Sequence, residues 1–284
     1  YEMLRSLVGS EMCIRDRTYT WNEETRAYIE SLDYLQCGEY GEISIKRIEN
    51  RNYHHQFVVL GPGDDGDDTV ICDLFFGSPN PMRPYVYLSV RNPILYKDYM
   101  LGGISYIEQA LHLEFFRISK LHLAFDSNVN IINRFYKLLK NEDVDFVIND
   151  KKIKSMDEKI HSLIHVSVGT RKNRYQDKSF YVKNNDDSLV LSAYNKALEL
   201  TENSAKDYIA LKVGFDKRIY RFEVRLNCYK VIRETLQAAN IKDEELYCSL
   251  VDSNTLMKLF WVSLNRLIRI QKSRKSYNLL EALI

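Results

Sequence analysis

Residues 179–199 read SFYVKNNDDSLVLSAYNKALE, two strand-like runs around a polar turn. SFYVK (179–183) and LVLSAYN (189–195) are rich in β-branched, aromatic and aliphatic residues, and NNDD between them supplies turn chemistry. The segment therefore predicts a β-hairpin, and KALELTENSA predicts a helix directly after it. RIYRFEVRLN (218–227) then alternates strictly. Tyr220, Phe222, Val224 and Leu226 point one way, and Arg221, Glu223 and Arg225 the other. FRISKLHLAFD (116–126) behaves alike, with Leu121, Leu123 and Phe125 against Ile118, Lys120, His122, Ala124 and Asp126. Strands with one apolar and one polar face belong to a half-buried antiparallel sheet.

Further out, helices are predicted over 21–35, 94–113 and 129–141, with Gly102 and Gly103 as a kink in the second. Strands are predicted at 41–49, 56–60, 69–76, 85–90, 144–148 and 163–169. GPGDDGDD (61–68) lacks the glycine-to-glutamate half of an EF-hand loop and reads as a solvated hairpin turn. Residues 229–239 and 253–275 read as helical. The sum is an α+β fold: a largely antiparallel curved sheet flanked by helices, with a helical C-terminal portion. Residues 18–228 form the expected main α+β domain, and 229–284 a helical region packed on it. The opening YEMLRSLVGSEMCIRDR (1–17) lacks signal-peptide architecture. SLVGSEMCIRDR reads as translated sequencing adapter or a disordered tail, and residues 1–17 are set aside from the fold.

Forty basic and thirty-nine acidic residues among 284 give a net charge of +1, which excludes a uniformly basic nucleic-acid coat but not a local patch. No apolar run is long enough to span a membrane. Five cysteines (Cys13, Cys37, Cys72, Cys228, Cys248) form no C-x-x-C pair, which points to a reducing cytoplasm. P-loop, G-x-G-x-x-G, H-E-x-x-H and G-x-S-x-G motifs are missing, so an NTPase, a dehydrogenase, a zincin or a serine hydrolase has no support.

The polar strand faces admit two readings. They are simply the wet side of an antiparallel sheet, or they carry chemistry. In the second reading His122, Asp126 and Glu223 can hold a divalent cation. Tyr194, at a strand end beside Asn195 and Lys196, can attack phosphorus. Its phenol must first lose a proton from a free pKa of about 10. A metal on the phosphate and a nearby lysine both favour that loss.

RISKLHLAFD (117–126), FYVKNNDDSLVLSAYNKALE (180–199) and YRFEVRLN (220–227) resemble, in that order, segments of rolling-circle replication initiators. The likeness is to the Rep-trans type, the replication initiation factors of plasmids and conjugative elements. It implies an enzyme that nicks one strand of origin DNA, single-stranded or in supercoiled duplex. It also implies Mg2+ or Mn2+, a 5′-phosphotyrosyl intermediate and a homodimer. Position by position, the nucleophile falls on Tyr194 in A-Y-N-K with Lys196 beside it, the acids on Asp126 and Glu223, and the R-x-E arginine on Arg221. His122 stands where the family has an aspartate, and imidazole is a poorer ligand for Mg2+ than for Mn2+. In YLSVRNP (87–93), Ser89 stands where the family tends to carry glutamate. The alternative is a catalytically impaired DNA-binding protein of the same fold.

Two basic segments extend the DNA-binding argument. From Ser253 to Leu280 there is no acidic residue, but Lys258, Arg266, Arg269, Lys272, Arg274 and Lys275 are present. On a helix, Lys258, Arg269 and Lys272 share a face with Asn265, opposite a Leu256, Leu259, Leu267 and Ile270 stripe. Arg171, Lys172 and Arg174, with Tyr175, precede the hairpin in a loop suited to single-stranded DNA. Arg225 is a further candidate phosphate contact.

Overall fold

The computed structural model describes residues 7–34, 36–49, 55–63, 66–76, 85–95, 97, 99–153, 164–167, 179–202, 219–242, 252–273 and 275–283. The chain divides into an N-terminal unit, Ile14–Lys120, and a C-terminal unit, Leu121–Ile284, which also takes the chain up to Cys13. This differs from the expected division at residue 228.

The N-terminal unit contains β1 (Leu7–Trp21), α1 (Glu23–Ser31), β2 (Cys37–Tyr40), β3 (Ile43–Ile48), β4 (His55–Pro62), β5 (Asp68–Phe76), β6 (Val86–Val90), α2 (Asn92–Leu95), α3 (Met100–Ala110) and the first part of β7 (Leu113–Ser127). Its antiparallel strands run in the order β1-β6-β5-β4-β3-β2. Alternation buries Ile45, Phe57, Leu74 and Leu88 on one sheet face with Ile29 of α1 and Ile104 and Ile107 of α3. The aspartate-rich segment joins β4 to β5, with Pro62 opposite Asp68, as a hairpin. The opening segment is not outside the fold: Asp16–Tyr19 pair with β6, and the Tyr19 hydroxyl donates to Glu108 Oε1 at 2.6 Å. The helix expected over 94–113 is two helices. Gly102 and Gly103 lie inside the second, and Leu113 already belongs to a strand.

The C-terminal unit continues β7 and adds α4 (Ile131–Leu139), β8 (Val144–Ile148), β9 (Lys151–Ile153), β10 (Ile164–Ser167), β11 (Ser179–Lys183), β12 (Leu189–Asn195), α5 (Lys196–Glu202), β13 (Tyr220–Leu226), α6 (Tyr229–Ala238), α7 (Ser253–Leu267), β14 (Ile268–Lys272), β15 (Lys275–Asn278) and α8 (Leu279–Leu283). Strands β10-β11-β12-β13-β7 form one antiparallel sheet, and β15-β14-β8-β9 another. Aromatic contacts run through the core: Phe135 stacks on Phe180, Phe180 meets Phe222 edge-on at 6.2 Å, and Phe125 lies 5.9 Å from Phe260.

The C-terminal portion corrects the sequence reading. The helix expected over 253–275 stops at Leu267, and Ile268–Lys272 pairs with β8 and β15. Leu267, Ile268 and Ile270 are all buried, so the apolar residues serve a helical and a strand period alike. Arg269–Lys272 have partners on both sides, in β8 and β15, and that ladder pairing settles the segment as a strand because it satisfies backbone N–H and C=O groups. Ser273, at positive φ, turns the hairpin. Among the described residues no helix is long and apolar enough to cross a membrane.

Candidate active site

Register brings the predicted residues together. Tyr194 lies opposite Arg221, and Arg221 opposite Asp126. The next row on the same face is Ser192, Glu223 and Ala124, and the next is Val190, Arg225 and His122. Three adjacent strands thus present His122, Asp126, Tyr194, Arg221, Glu223 and Arg225 on one face. Phe125, Ala193 and Phe222 occupy the opposite, core face.

Two clusters divide this face. In the first, Arg221 Nε donates to Asp126 Oδ1 at 2.7 Å and Nη2 to Oδ2 at 2.6 Å. Both side chains are almost wholly buried, so this is a bidentate pair removed from solvent. In the second, the Tyr194 hydroxyl donates to Glu223 Oε2 at 3.2 Å. His122 Nδ1 stands 3.4 Å from Glu223 Oε1, and Arg225 Nε 3.7 Å from it. Arg225 Nη2 donates to Ser192 Oγ at 2.6 Å.

The electrostatics follow. Burial alone would raise the Glu223 pKa, but the His122 hydrogen bond and charge, then Arg225 and Arg221, outweigh it and hold the carboxyl down at about 2. Tyr194 moves the other way. Burial and the Glu223 carboxylate push the phenol well above its ordinary value, against the pull of Arg221. The arrangement at rest keeps a neutral phenol hydrogen-bonded to a weakly basic carboxylate.

The local sequence explains the position of Tyr194. Asn195 Oδ1 accepts the Leu198 N–H at 3.0 Å, so the A-Y-N-K segment ends a strand and caps a helix in one step. Lys196, buried, forms an ion pair with Glu199, and its Nζ lies 5.8 Å from the Tyr194 ring centroid. Sequence reasoning passed over two partners. Ser192 was signalled by its place two residues before Tyr194 on one strand face, and Glu199 by its helical spacing from Lys196.

The expected His122, Asp126 and Glu223 metal set does not fit as a trio. Both Asp126 oxygens are engaged by Arg221, and among the described residues no three His, Cys, Asp or Glu side chains form a metal-holding group. His122 and Glu223 are the two donors that stand together.

The expected DNA contacts also separate. Arg266 staples α7 to α6, donating to Val231 O at 3.2 Å and Thr235 Oγ1 at 2.6 Å and pairing with Glu234. Arg269 pairs with Asp150. Both Arg269 and Lys272 lie in β14, so the helical basic stripe with Lys258 does not exist. Lys258 and Lys272 are exposed and, among the described residues, have no ion-pair partner. Arg171, Lys172 and Arg174 lie outside the described residues. Ser89 lies in the N-terminal unit, donating to Asp16 Oδ1 at 2.7 Å.

No protein-family model matches the chain, and no curated protein matches it. Among solved structures, the chain is similar to a rolling circle replication initiator protein from Geobacillus stearothermophilus. The TM-score is 0.49 at 11% sequence identity, over 94% of this chain and 89% of that one.

Proposed function

We propose that this protein is a replication initiator that nicks and rejoins one strand of origin DNA through Tyr194. The observation that carries the reading is convergence. A tyrosine, the carboxylate it touches and three cationic or imidazole groups lie on one face of three adjacent strands. Tyr194 Oη attacks phosphorus, an Oη–P bond forms, and the P–O3′ bond breaks to leave a 5′-phosphotyrosyl link. The phenol proton passes to Glu223 Oε2. At rest that transfer is uphill, since the carboxyl is held at about 2. An entering phosphate competes for Arg225 and His122, the groups that depress Glu223, and so raises the basicity of the acceptor. The Mg2+ or Mn2+ requirement stays within the proposal on the donors His122 and Glu223, and no step above is routed through the ion.

A second reading, a DNA-binding protein that does not nick, is favoured by the commitment of Asp126 to Arg221. One assay separates them. Supercoiled plasmid carrying the gene's own flanking DNA is incubated with Mg2+, Mn2+ or chelator, with Tyr194→Phe in parallel. Nicked circles bearing covalent protein, absent from Tyr194→Phe, are expected. Retarded but intact supercoils under both metals would establish the second reading instead.

A further inference from the structure

The sheet face that carries Tyr194 extends one strand beyond the residues used above. Along β11, Phe180 and Val182 turn into the core, which leaves Tyr181 on the Tyr194 side. Tyr181 lies directly opposite Ser192, and Ser192 opposite Glu223, so the three form one row across β11, β12 and β13. Tyr181 has further contacts of its own and is still 37% exposed. Ser192, a small residue in that row, accepts from Arg225 Nη2 at 2.6 Å. It is thus the shared neighbour of Tyr181 and Arg225, two residues before Tyr194 on the same strand face. The Arg225 side chain is 38% exposed. A guanidinium has five N–H donors, so the bond to Ser192 leaves others for an anion.

Attack by Tyr194 requires a phosphodiester at its hydroxyl, and every phosphodiester brings a nucleoside on each side. Tyr181 stands on the neighbouring strand, one strand spacing or about 4.8 Å away. A nucleotide whose phosphate meets Tyr194 and Arg225 therefore carries its base beside the Tyr181 ring. That ring offers a π-face to a base, and Arg225 a charge to a phosphate. A base inside a duplex has both faces covered by its neighbours, so the contact needs one that is out of the stack. We propose that Tyr181 stacks on the unpaired base flanking the phosphate that Tyr194 attacks, while Arg225, held by Ser192, takes that phosphate. The identity of the strand rests on the initiator reading above. Stacking is tolerant of base identity, so Tyr181 selects an unpaired strand without reading its sequence.

The test is fluorescence anisotropy with a dye-labelled oligothymidylate, beside an abasic oligomer of the same length that keeps the phosphates and lacks the bases. The wild type is expected to bind oligothymidylate the more tightly. Tyr181→Leu is expected to weaken oligothymidylate binding by about 5- to 150-fold and to leave abasic binding in place. Tyr181→Phe, which keeps the π-face, retains affinity for both. Photocrosslinking of an iododeoxyuridine-substituted oligonucleotide to the wild type is expected on the peptide containing Tyr181, and it carries the test if the leucine variant fails to fold. Undiminished oligothymidylate binding by Tyr181→Leu overturns the contact, as does equal loss on the abasic oligomer. Crosslinks confined to other peptides, or a wild type that binds neither oligomer, overturn it too. Nicking is scored separately. Tyr181-dependent binding without nicking removes the initiator reading and leaves the base contact, whereas nicking with unaltered Tyr181→Leu binding removes the base contact alone.

Discussion

Tyr194 donates its hydrogen bond to Glu223, the carboxylate proposed to accept its proton, and the Glu223 charge helps hold the phenol above its ordinary value. Removing the Glu223 charge takes away a contribution that raises the phenol and leaves the one from burial. Glu223→Gln should therefore lower the Tyr194 pKa, read as phenolate absorbance on alkaline titration, each protein against its own Tyr194→Phe partner. Glu223 also sets an acid limb. Its folded pKa of about 2 lies below its ordinary value of 4.5, so its stabilisation is complete above pH 4.5 and fades as pH falls toward 2. In Glu223→Gln, urea-unfolding free energy should lose that part of its pH dependence, and an unchanged acid limb would count against the pair. For Asp126 the expected effect is structural. Asp126→Asn strands a buried guanidinium and should cost about 3–5 kcal/mol, whereas an apolar double replacement with Arg221 recovers much of it. The sequence placed Asp126 and Arg221 each on a polar strand face. It did not show them as partners, because their contact exists only through the β13–β7 register.

Hairpins and clean alternations were the most legible elements. The β11–β12 hairpin and the β13 and β7 strands lie where period-two alternation and turn residues predict them. The segment after Leu267 was not legible, because Ile268 and Ile270 satisfy two periods and a partner strand more than a hundred residues earlier makes the choice. The opening strand is hidden for a different reason: SLVGSEMCIRDR reads as translated adapter sequence, although Asp16–Tyr19 pair with β6. Relocating Arg269 and Lys272 onto a hairpin changes what the basic charge can do. Lys272 and Lys275 lie directly opposite each other at the hairpin end, and like charges there are destabilising. Lys272→Glu should raise thermal stability, by about 0.2–1 kcal/mol for an opposite-charge pair. If the hairpin meets DNA phosphates, the same variant binds origin DNA more weakly and with a shallower dependence of affinity on salt. A stability gain with an unchanged salt slope would remove the hairpin from the DNA interface.

At the scale of the molecule, the division at Lys120 and Leu121 was invisible in composition, because a single unbroken strand, β7, passes through it without a linker. The α+β class was legible, since strands such as β4, β6 and β11 alternate between buried and more open positions, but which strands share a core depends on pairing. The two units make a prediction that the sequence equips for testing. It contains two tryptophans, Trp21 and Trp261, one in each unit. Trp21 packs edge-on against Phe76, with centroids 4.6 Å apart, and Trp261 lies half-buried in α7. Ile45 is fully buried in the N-terminal core, so Ile45→Ala opens a cavity there and should cost that unit about 2–5 kcal/mol. Single-tryptophan proteins made with Trp261→Phe or Trp21→Phe report each unit during urea unfolding. If each core is its own cooperative body, Ile45→Ala lowers the midpoint seen by Trp21 and leaves that seen by Trp261 in place. Equal displacement of both midpoints would mean that the two cores unfold as one, and a core defect in the N-terminal unit would then disable Tyr194 as surely as one beneath its own sheet.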